Sequence, residues 1–243
     1  MRLDQYLFAE SLVKSRTEAK GFITSGAVTV NSRVITKPSF DVCDGDDVTV
    51  DTSAKRFASR GGLKLEHALS HFALDPSGKI CIDIGASSGG FTDCLLKSGA
   101  AHVIAVDSGS GQLVEELRLD ERVVVIENYN ARYMKPSDFD FTPSLAVMDV
   151  SFISATYIIP SVYNVLAWGG DFVLLIKPQF EVGRAGLKKG GIVKDEKTAL
   201  SAVDKVTDFA RAVGFSFIGI TKSPITGGDG NTEYLAHFKK LPE

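Results

Sequence analysis

The chain has 243 residues, of which 44% are hydrophobic and 23% are charged, and its net charge is −3. This length and composition predict a globular protein with one large and one small domain. They argue against a uniformly basic nucleic-acid binder while allowing a local basic patch. No apolar run is long enough to cross a bilayer, and the charged N-terminus is atypical of a signal peptide, so we expect a cytoplasmic protein.

The cysteines and histidines do not indicate a metal site. Cys43, Cys81 and Cys94 are odd in number and have no C-x-x-C spacing, so we expect reduced thiols and no structural zinc. His67 and His71 have the i, i+4 spacing of some zinc ligands, but no H-E-x-x-H motif or third ligand accompanies them. We therefore interpret these histidines as part of a helix surface.

Residues 1–54 are predicted to form a small separate module of two helices and a β ribbon. Apolar positions in residues 3–7 have helical spacing, and a capping box at residues 15–18 begins a second helix that ends at Gly26. Short alternating segments separated by turn residues follow, first at residues 27–30. These segments predict the strands of the ribbon.

The same module carries candidate RNA-binding residues. Arg16 and Lys20 are four residues apart on one helix face, which suits phosphate contacts, although a solvated surface also explains such a pair. The order of elements resembles the αL RNA-binding domain first described in a small-subunit ribosomal protein, and the matching sequence is RLDQYL…VKSRTEAKGFITSGAVTVNSRVITKPSFDVCDGDDV. The resemblance implies structured RNA as the partner. The candidate contacts are Arg2, Lys14, Arg16, Lys20 and Arg33.

A linker and a helix are predicted between this module and the larger domain. Residues 55–62 are basic and end in two glycines, which we interpret as a hinge. The larger domain, residues 63–243, opens with a helix that has Lys64 in its first turn. A cation there opposes the helix dipole, as occurs at functional sites, although a solvated lysine is an equally good explanation.

A buried strand followed by a glycine-rich turn is the central motif of the larger domain. The β-branched run at residues 80–84 predicts the strand, and helical spacing resumes at Phe91 after the turn. Free N–H groups at such a helix start bind polar or anionic ligands. The spacing differs from the G-x-G-x-x-G of NAD-binding proteins and favours S-adenosylmethionine, with a purely structural turn as the alternative. The candidate cofactor-binding residues in this motif are Asp83, Gly85, Ala86, Ser87, Gly89, Gly90 and Phe91.

Later strands also end in polar residues. Asp107 follows one strand at the position where nucleotide-binding folds place a carboxylate on ribose hydroxyls, and Asn130 follows the next, suitably placed for an adenine edge. Asp149 and Lys177 end two further strands. Because strands that alternate with helices form a parallel sheet, we expect these side chains at its carboxyl edge, where open α/β sheets bind ligands.

The last two strands are predicted at residues 215–220 and 232–238, joined by a loop that makes them antiparallel. This arrangement would bring Glu233 to the carboxyl edge, beside Lys177 and its neighbour Asp149. Two lysines and two carboxylates in one place are also compatible with a structural salt-bridge network.

Six motifs together resemble the TlyA family, also called hemolysin A: SRGGLKLEHAL, DIGASSGGFTDCLLKSGA, VDSGSGQLVEELRLDERVVVIENYNARYM, MDVSFIS, LIKPQFEVGR…KKGGIVKD and SPITGGDGNTEYL. The resemblance implies a Rossmann-like α/β methyltransferase fold with a mostly parallel seven-stranded sheet whose last strand is antiparallel. It also implies an αL domain ahead of an FtsJ-like domain. The expected activity is methylation of ribosomal RNA at the ribose 2′-hydroxyl with S-adenosylmethionine and no metal.

The family resemblance implies a catalytic set of Lys64, Asp149, Lys177 and Glu233. A 2′-hydroxyl is a poor nucleophile, so we expect Lys177 to take its proton, favoured as a base by a second nearby cation and partial burial. Asp149 would orient Lys177 and contact the cofactor, and Glu233 would hold Lys64. Residues 181–196 are predicted to be a mobile basic loop over the site, with Arg184, Lys188 and Lys189 as further RNA contacts.

Three other functions compete with this interpretation. A secreted, membrane-damaging hemolysin is disfavoured because no signal peptide or membrane segment is evident and the predicted sheet uses the apolar residues. An RNA-binding module with an inactive methyltransferase domain is disfavoured by the four matching catalytic positions. An NAD enzyme is disfavoured by the glycine spacing.

Overall fold

The computed structural model describes residues 1–24, 26–51 and 56–242. The helices are α1 Leu3–Ala9, α2 Arg16–Thr24, α3 Gly61–His71, α4 Gly90–Lys97, α5 Glu115–Arg118, α6 Ile159–Val165, α7 Pro178–Glu181 and α8 Glu196–Val213. The strands are β1 Val28–Val30, β2 Arg33–Val34, β3 Val48–Val50, β4 Ile80–Ile84, β5 His102–Val106, β6 Val123–Ile126, β7 Leu145–Met148, β8 Asp171–Ile176, β9 Ser216–Lys222 and β10 Tyr234–Lys239.

The N-terminal domain packs α1 and α2 on a three-stranded antiparallel sheet of order β2-β1-β3. Leu3, Leu7 and Ile23 are fully buried in its core together with Val28 of β1. Each such side chain contributes about 1.5–3 kcal/mol when it leaves water. The two helices and the ribbon expected from the sequence are therefore present.

The C-terminal domain is built on a seven-stranded sheet of order β6-β5-β4-β7-β8-β10-β9. Its first five strands are parallel, and β10 runs antiparallel to both β8 and β9. Every residue of β7 and β8 is buried, because helices cover both faces of the sheet. This architecture confirms the predicted fold.

Two apolar cores flank the sheet. Ile82 and Ile84 of β4 face a core shared with α6 and α8, whereas Cys81 faces a core shared with α3 and α4. The alternation follows from the two-residue period of a strand, and it turns Asp83 toward α4. Among the described residues, no helix is long and apolar enough to cross a membrane.

The junction between the domains differs from the prediction. The expected hinge at Gly61-Gly62 is wrong, because both glycines belong to the first turn of α3. A Cβ at Gly62 would overlap the Phe57 side chain, so glycine is needed there for close packing rather than for bending. The predicted domain boundary after residue 54 lies outside the described residues and stays a prediction.

Two further elements begin or fold differently from expectation. The last strand starts at Tyr234, so Glu233 precedes it instead of lying inside it. The segment predicted as a mobile loop contains a short antiparallel bridge between Leu187 and Val193. Asn231 fixes this bridge, because its Oδ1 accepts a hydrogen bond from Val193 N at 2.9 Å and its Nδ2 donates one to Gly191 O at 3.1 Å.

Candidate active site

Two adjoining cavities lie at the carboxyl edge of the parallel strands. The larger has a volume of about 440 Å³ and the smaller about 220 Å³, and they share Gly85, Ser87, Asp149 and Ser151 in their walls. The sharing of these four residues makes the cavities two parts of one trough. It runs from the loop after β6 to the start of α3.

The glycine-rich turn after β4 forms the floor between the two cavities. Gly85 has φ +85°, and a Cβ there would overlap the carbonyl oxygen of Asp149. Gly89 has φ +96° and caps the N-terminus of α4. Both positions therefore require glycine, because the Asp149 backbone packs against Gly85 and the Leu113 and Leu117 side chains pack against Gly89.

Asp107 organises the wall of the larger cavity. Its Oδ2 accepts a hydrogen bond from Ser87 N at 2.8 Å, and its Oδ1 accepts one from Gly109 N at 2.7 Å. Asn130 lies in the same wall, where its Oδ1 accepts a hydrogen bond from Arg132 N at 3.1 Å. The carboxylate and the amide therefore both lie in the wall of the larger cavity, and their contacts with a ribose and an adenine stay a prediction.

Asp83 lies below the turn rather than in a cavity wall. It is fully buried, its Oδ2 accepts a hydrogen bond from Thr92 Oγ1 at 2.7 Å, and its Oδ1 has no hydrogen-bond partner. Burial raises the pKa of Asp83 to about 7, and the nearby carboxylates of Asp149 and Asp107 add to that rise. The structure therefore places Asp83 as support for α4, away from direct contact with a ligand in either cavity.

Lys177 and Asp149 form the first of two ion pairs at the trough. The Lys177 Nζ lies 2.6 Å from Asp149 Oδ1, and it donates a hydrogen bond to Ser151 Oγ at 2.8 Å. The contact with Asp149 is an ion pair between a half-buried carboxylate and a largely buried ammonium. Because β7 and β8 are parallel neighbours, residues just after their ends meet.

Lys64 and Glu233 form the second ion pair, with 2.5 Å between Nζ and Oε2. The side chains are 10% and 2% exposed, so both charges are largely removed from water. Antiparallel pairing of Tyr234 with Ile176 places Glu233 opposite Lys177, at the carboxyl edge. Lys64, Lys177 and Asp149 line the smaller cavity, and Glu233 lies behind Lys64.

Several residues in the walls did not stand out in the sequence. Ser59, Arg60 and Ser151 line the smaller cavity, and Phe152 lines the larger one. Phe152 is 90% exposed with φ +64°, an uncommon conformation for an aromatic residue, and its ring lies 5.2 Å from that of Phe180. Its position three residues after Asp149 was the only sequence signal for it.

The predicted RNA-binding residues are exposed, but they differ in their surroundings. Arg2 and Arg16 lie 2.9 and 3.0 Å from the carboxylate of Asp4, which is fully buried. Chiefly the hydrogen bond from Arg2 lowers the pKa of Asp4 to about 2. These two arginines therefore also hold the domain together, unlike the exposed residues Lys14, Lys20, Arg33, Arg184, Lys188 and Lys189.

Within the described ranges, no group of three or more His, Cys, Asp or Glu side chains could hold a metal ion. Cys81 and Cys94 are buried, and burial raises the pKa of each thiol to about 12.

Comparisons with known proteins identify both domains. The FtsJ-like methyltransferase model matches residues 57–240, and the S4 domain model matches residues 1–48. The Mycobacterium tuberculosis 16S/23S rRNA (cytidine-2′-O)-methyltransferase TlyA is 41% identical over 235 residues, which cover 96% of this chain and 88% of that protein. Hemolysin A of Brachyspira hyodysenteriae is 46% identical, with 98% of this chain and 99% of that protein covered.

A solved structure from Streptococcus thermophilus, described as a candidate hemolysin, matches with a TM-score of 0.80 and 44% identity over 100% of this chain and 89% of that one. The sheet, the glycine turn and these matches define an S-adenosylmethionine-dependent methyltransferase that carries an N-terminal S4 RNA-binding domain. Within that class, the chain belongs to the TlyA/hemolysin A family. The family resemblance and the cofactor expected from the sequence are thereby confirmed.

Proposed function

We propose that this enzyme transfers a methyl group from S-adenosylmethionine to the ribose 2′-hydroxyl of a cytidine in ribosomal RNA. The observation that carries the proposal is the presence of two ion pairs at the smaller cavity, Lys177 with Asp149 and Lys64 with Glu233. The glycine-rich turn after β4 lines the same cavity. The relatives named for cytidine 2′-O-methylation support this choice of acceptor. The exposed basic residues of the S4 domain and of residues 181–196 would hold the RNA.

The cofactor fits the trough by shape and by donor chemistry. Gly85 of the turn lines the larger cavity, and Asp107 and Asn130 supply polar groups in its wall. Ile153 and Ile158 in the same cavity would pack on the flat face of an adenine. S-adenosylmethionine would supply a methyl group on a sulfonium, which is already activated for displacement.

We assign Lys177 as the group that takes the proton of the 2′-hydroxyl. Lys177 Nζ would accept that proton while the ribose oxygen takes the methyl group that the bound cofactor would supply. Asp149 holds Nζ at one position, 2.6 Å away, and then stabilises the ammonium that forms. General base assistance of this kind typically contributes about two to four powers of ten in rate.

Lys64 presents a second cation to the same cavity. With Glu233 fixing its Nζ, Lys64 can stabilise negative charge that develops on the 2′-oxygen. These assignments give each of the four side chains a separate task.

The test is transfer of a labelled methyl group from S-adenosylmethionine to purified small and large ribosomal subunits, assayed separately. After digestion we expect the label in 2′-O-methylcytidine. Lys177→Ala should abolish transfer while cofactor binding, measured by calorimetry, is retained, and Lys222→Ala is the matched control because Lys222 is exposed at the end of β9. Label in a base, or no transfer to either subunit despite cofactor binding, would overturn the proposal.

A further inference from the structure

Arg60 lies between the two domains, at the end of the segment that leads into α3. Its Nε and Nη2 are 3.2 and 3.4 Å from the point where a Cβ of Gly26 would stand. Gly26 belongs to the S4 domain, just after α2, and has φ +73°. The guanidinium of a catalytic-domain residue therefore packs against the backbone of the S4 domain.

Carboxylates from both domains act on this guanidinium. Burial lowers the pKa of Arg60, while Asp51 at the end of β3 and Glu233 in the catalytic site act in the opposite direction. Arg60 is therefore attracted electrostatically by one carboxylate of each domain. Arg60 interacts electrostatically with Asp51, next to the S4 sheet, and with Glu233 of the catalytic ion pair.

Arg60 is also joined to Lys64 through the backbone and the cavity. Both residues line the smaller cavity, and Leu63 N donates a hydrogen bond to Arg60 O at 3.1 Å at the start of α3. The segment before α3 packs closely on the start of α4, because a Cβ at Gly90 would overlap Ser59 Oγ. A shift of Arg60 is therefore passed to the first turn of α3, which carries Lys64.

We propose that Arg60 is a positioning residue that couples the S4 domain to the Lys64–Glu233 pair, so that RNA held by the S4 domain favours the active arrangement of the catalytic cavity. The inference rests on the proposed function, since it concerns the regulation of the same site. Arg60 acts through Lys64 and Glu233 rather than on the reacting atoms. Coupling between two sites typically changes the equilibrium affinity at one of them by about 5- to 150-fold.

The glycines of the S4 domain offer a matched pair of variants. Gly26→Ala places a methyl group against Arg60, whereas Gly45→Ala places one in open space, and both glycines have positive φ. The backbone strain is therefore similar, and only the contact with Arg60 differs. We expect Gly26→Ala to lower kcat about tenfold at saturating RNA and cofactor, with little change in either Kd, and Gly45→Ala to leave kcat unchanged.

The decisive measurement is a double-mutant cycle on kcat. Arg60→Ala should lower kcat about tenfold, Arg60→Lys should lower it less, and Gly26→Ala should have no further effect in the Arg60→Ala background. Additive losses from Gly26→Ala and Arg60→Ala, or equal losses from Gly26→Ala and Gly45→Ala, would overturn the coupling. A tenfold weaker Kd for RNA or cofactor with unchanged kcat would also overturn it, because Arg60 would then be a ligand contact.

A second readout does not depend on methyl transfer. We expect ribosomal RNA to slow amide hydrogen exchange in α3 of the unmodified protein, and this protection to be lost in Arg60→Ala. Equal protection in both proteins would refute the coupling. Failure of the proposed function would instead be seen as absent or misplaced label in the unmodified enzyme.

Discussion

Glu181, buried at the end of α7, accepts a hydrogen bond from Ser154 Oγ at 2.5 Å. Its second oxygen accepts one from Ala155 N at 2.7 Å. The carboxylate therefore joins the loop after β8, which begins with Lys177, to the loop after β7, which begins with Asp149. One buried side chain holds together the two loops whose first residues form an ion pair.

Replacing Glu181 should therefore impair both stability and catalysis. Glu181→Ala leaves Ala155 N without its acceptor, so we expect the free energy of unfolding to fall by about 1–3 kcal/mol. We also expect kcat to fall, because Lys177 and Asp149 are no longer held in register. Urea unfolding and methyl transfer measure the two effects. Glu196→Ala at the exposed start of α8 is the control, and an effect of equal size there would contradict this role for Glu181.

The buried pair of Lys64 and Glu233 predicts a non-additive stability cycle. Glu233→Gln leaves the ammonium of Lys64 in a site that is largely closed to water, so we expect a loss of about 3–5 kcal/mol. Lys64→Met together with Glu233→Gln removes the unpaired charge and should recover much of that loss. Chemical unfolding of the two single variants and the double variant decides the matter. If the double variant loses as much stability as Glu233→Gln alone, or loses the sum of the two single-variant losses, then the pair is effectively solvated.

Asp83 predicts a pH dependence of stability in the cofactor-free protein. Its pKa is raised to about 7 by burial, so between pH 4 and pH 7 the folded state holds a proton that the unfolded state has released. The contribution of Asp83 to stability therefore falls as pH rises through this window, by roughly 1 kcal/mol per pH unit. Asp83→Asn removes the titration and should gain relative stability with rising pH.

Urea unfolding at pH 5, 6, 7 and 8 measures this difference. Asp229→Asn, in an exposed turn, is the control and should run parallel to the unmodified protein. If the curves for Asp83→Asn and the unmodified protein are also parallel, Asp83 is ionised throughout, and its burial is compensated by more than the Thr92 hydrogen bond.

The basic residues of the S4 domain are expected to be of two kinds: some contact only the RNA, and others also stabilise the domain. Lys20 is exposed, so Lys20→Ala should weaken RNA binding and reduce the slope of log K against log salt by about 1, without a change in thermal stability. Arg16→Ala should also destabilise the domain, because it removes a partner of the buried carboxylate of Asp4. Salt titrations of RNA affinity and thermal melts separate the two, and an unaltered affinity for Lys20→Ala would exclude Lys20 from the RNA surface.

Much of the catalytic domain could be predicted from local patterns. The β-branched run at residues 80–84, the glycines after it and the polar residues that end later strands predicted the parallel sheet and its functional edge. Antiparallel pairing of the last strands was predicted from the loop between them. It brings Glu233 to that edge, although Glu233 comes just before the last strand, which begins at Tyr234. Strand periodicity and chain direction are local properties, so they can be read without a structure.

Contacts between distant segments could not be predicted in this way. Gly61-Gly62 was interpreted as a hinge, because sequence cannot distinguish a glycine that bends from one that lets Phe57 approach closely. The contact of Arg60 with Gly26, the exposure of Phe152 and the double use of Arg2 and Arg16 likewise depend on which surfaces meet.

Residue type and spacing along the chain were enough to predict the class of fold and the cofactor. The motifs of the chain also carried the family resemblance, and that resemblance implied the four side chains proposed for catalysis. Only the folded structure gave the distances within these pairs and the burial of the groups around them. Lys64 and Glu233 are separated by 169 residues yet lie 2.5 Å apart, and Asp83 supports α4 from below the turn instead of lining a cavity. Strand pairing and the packing of α3 and α4 on the sheet set these positions, and no local pattern carries that information.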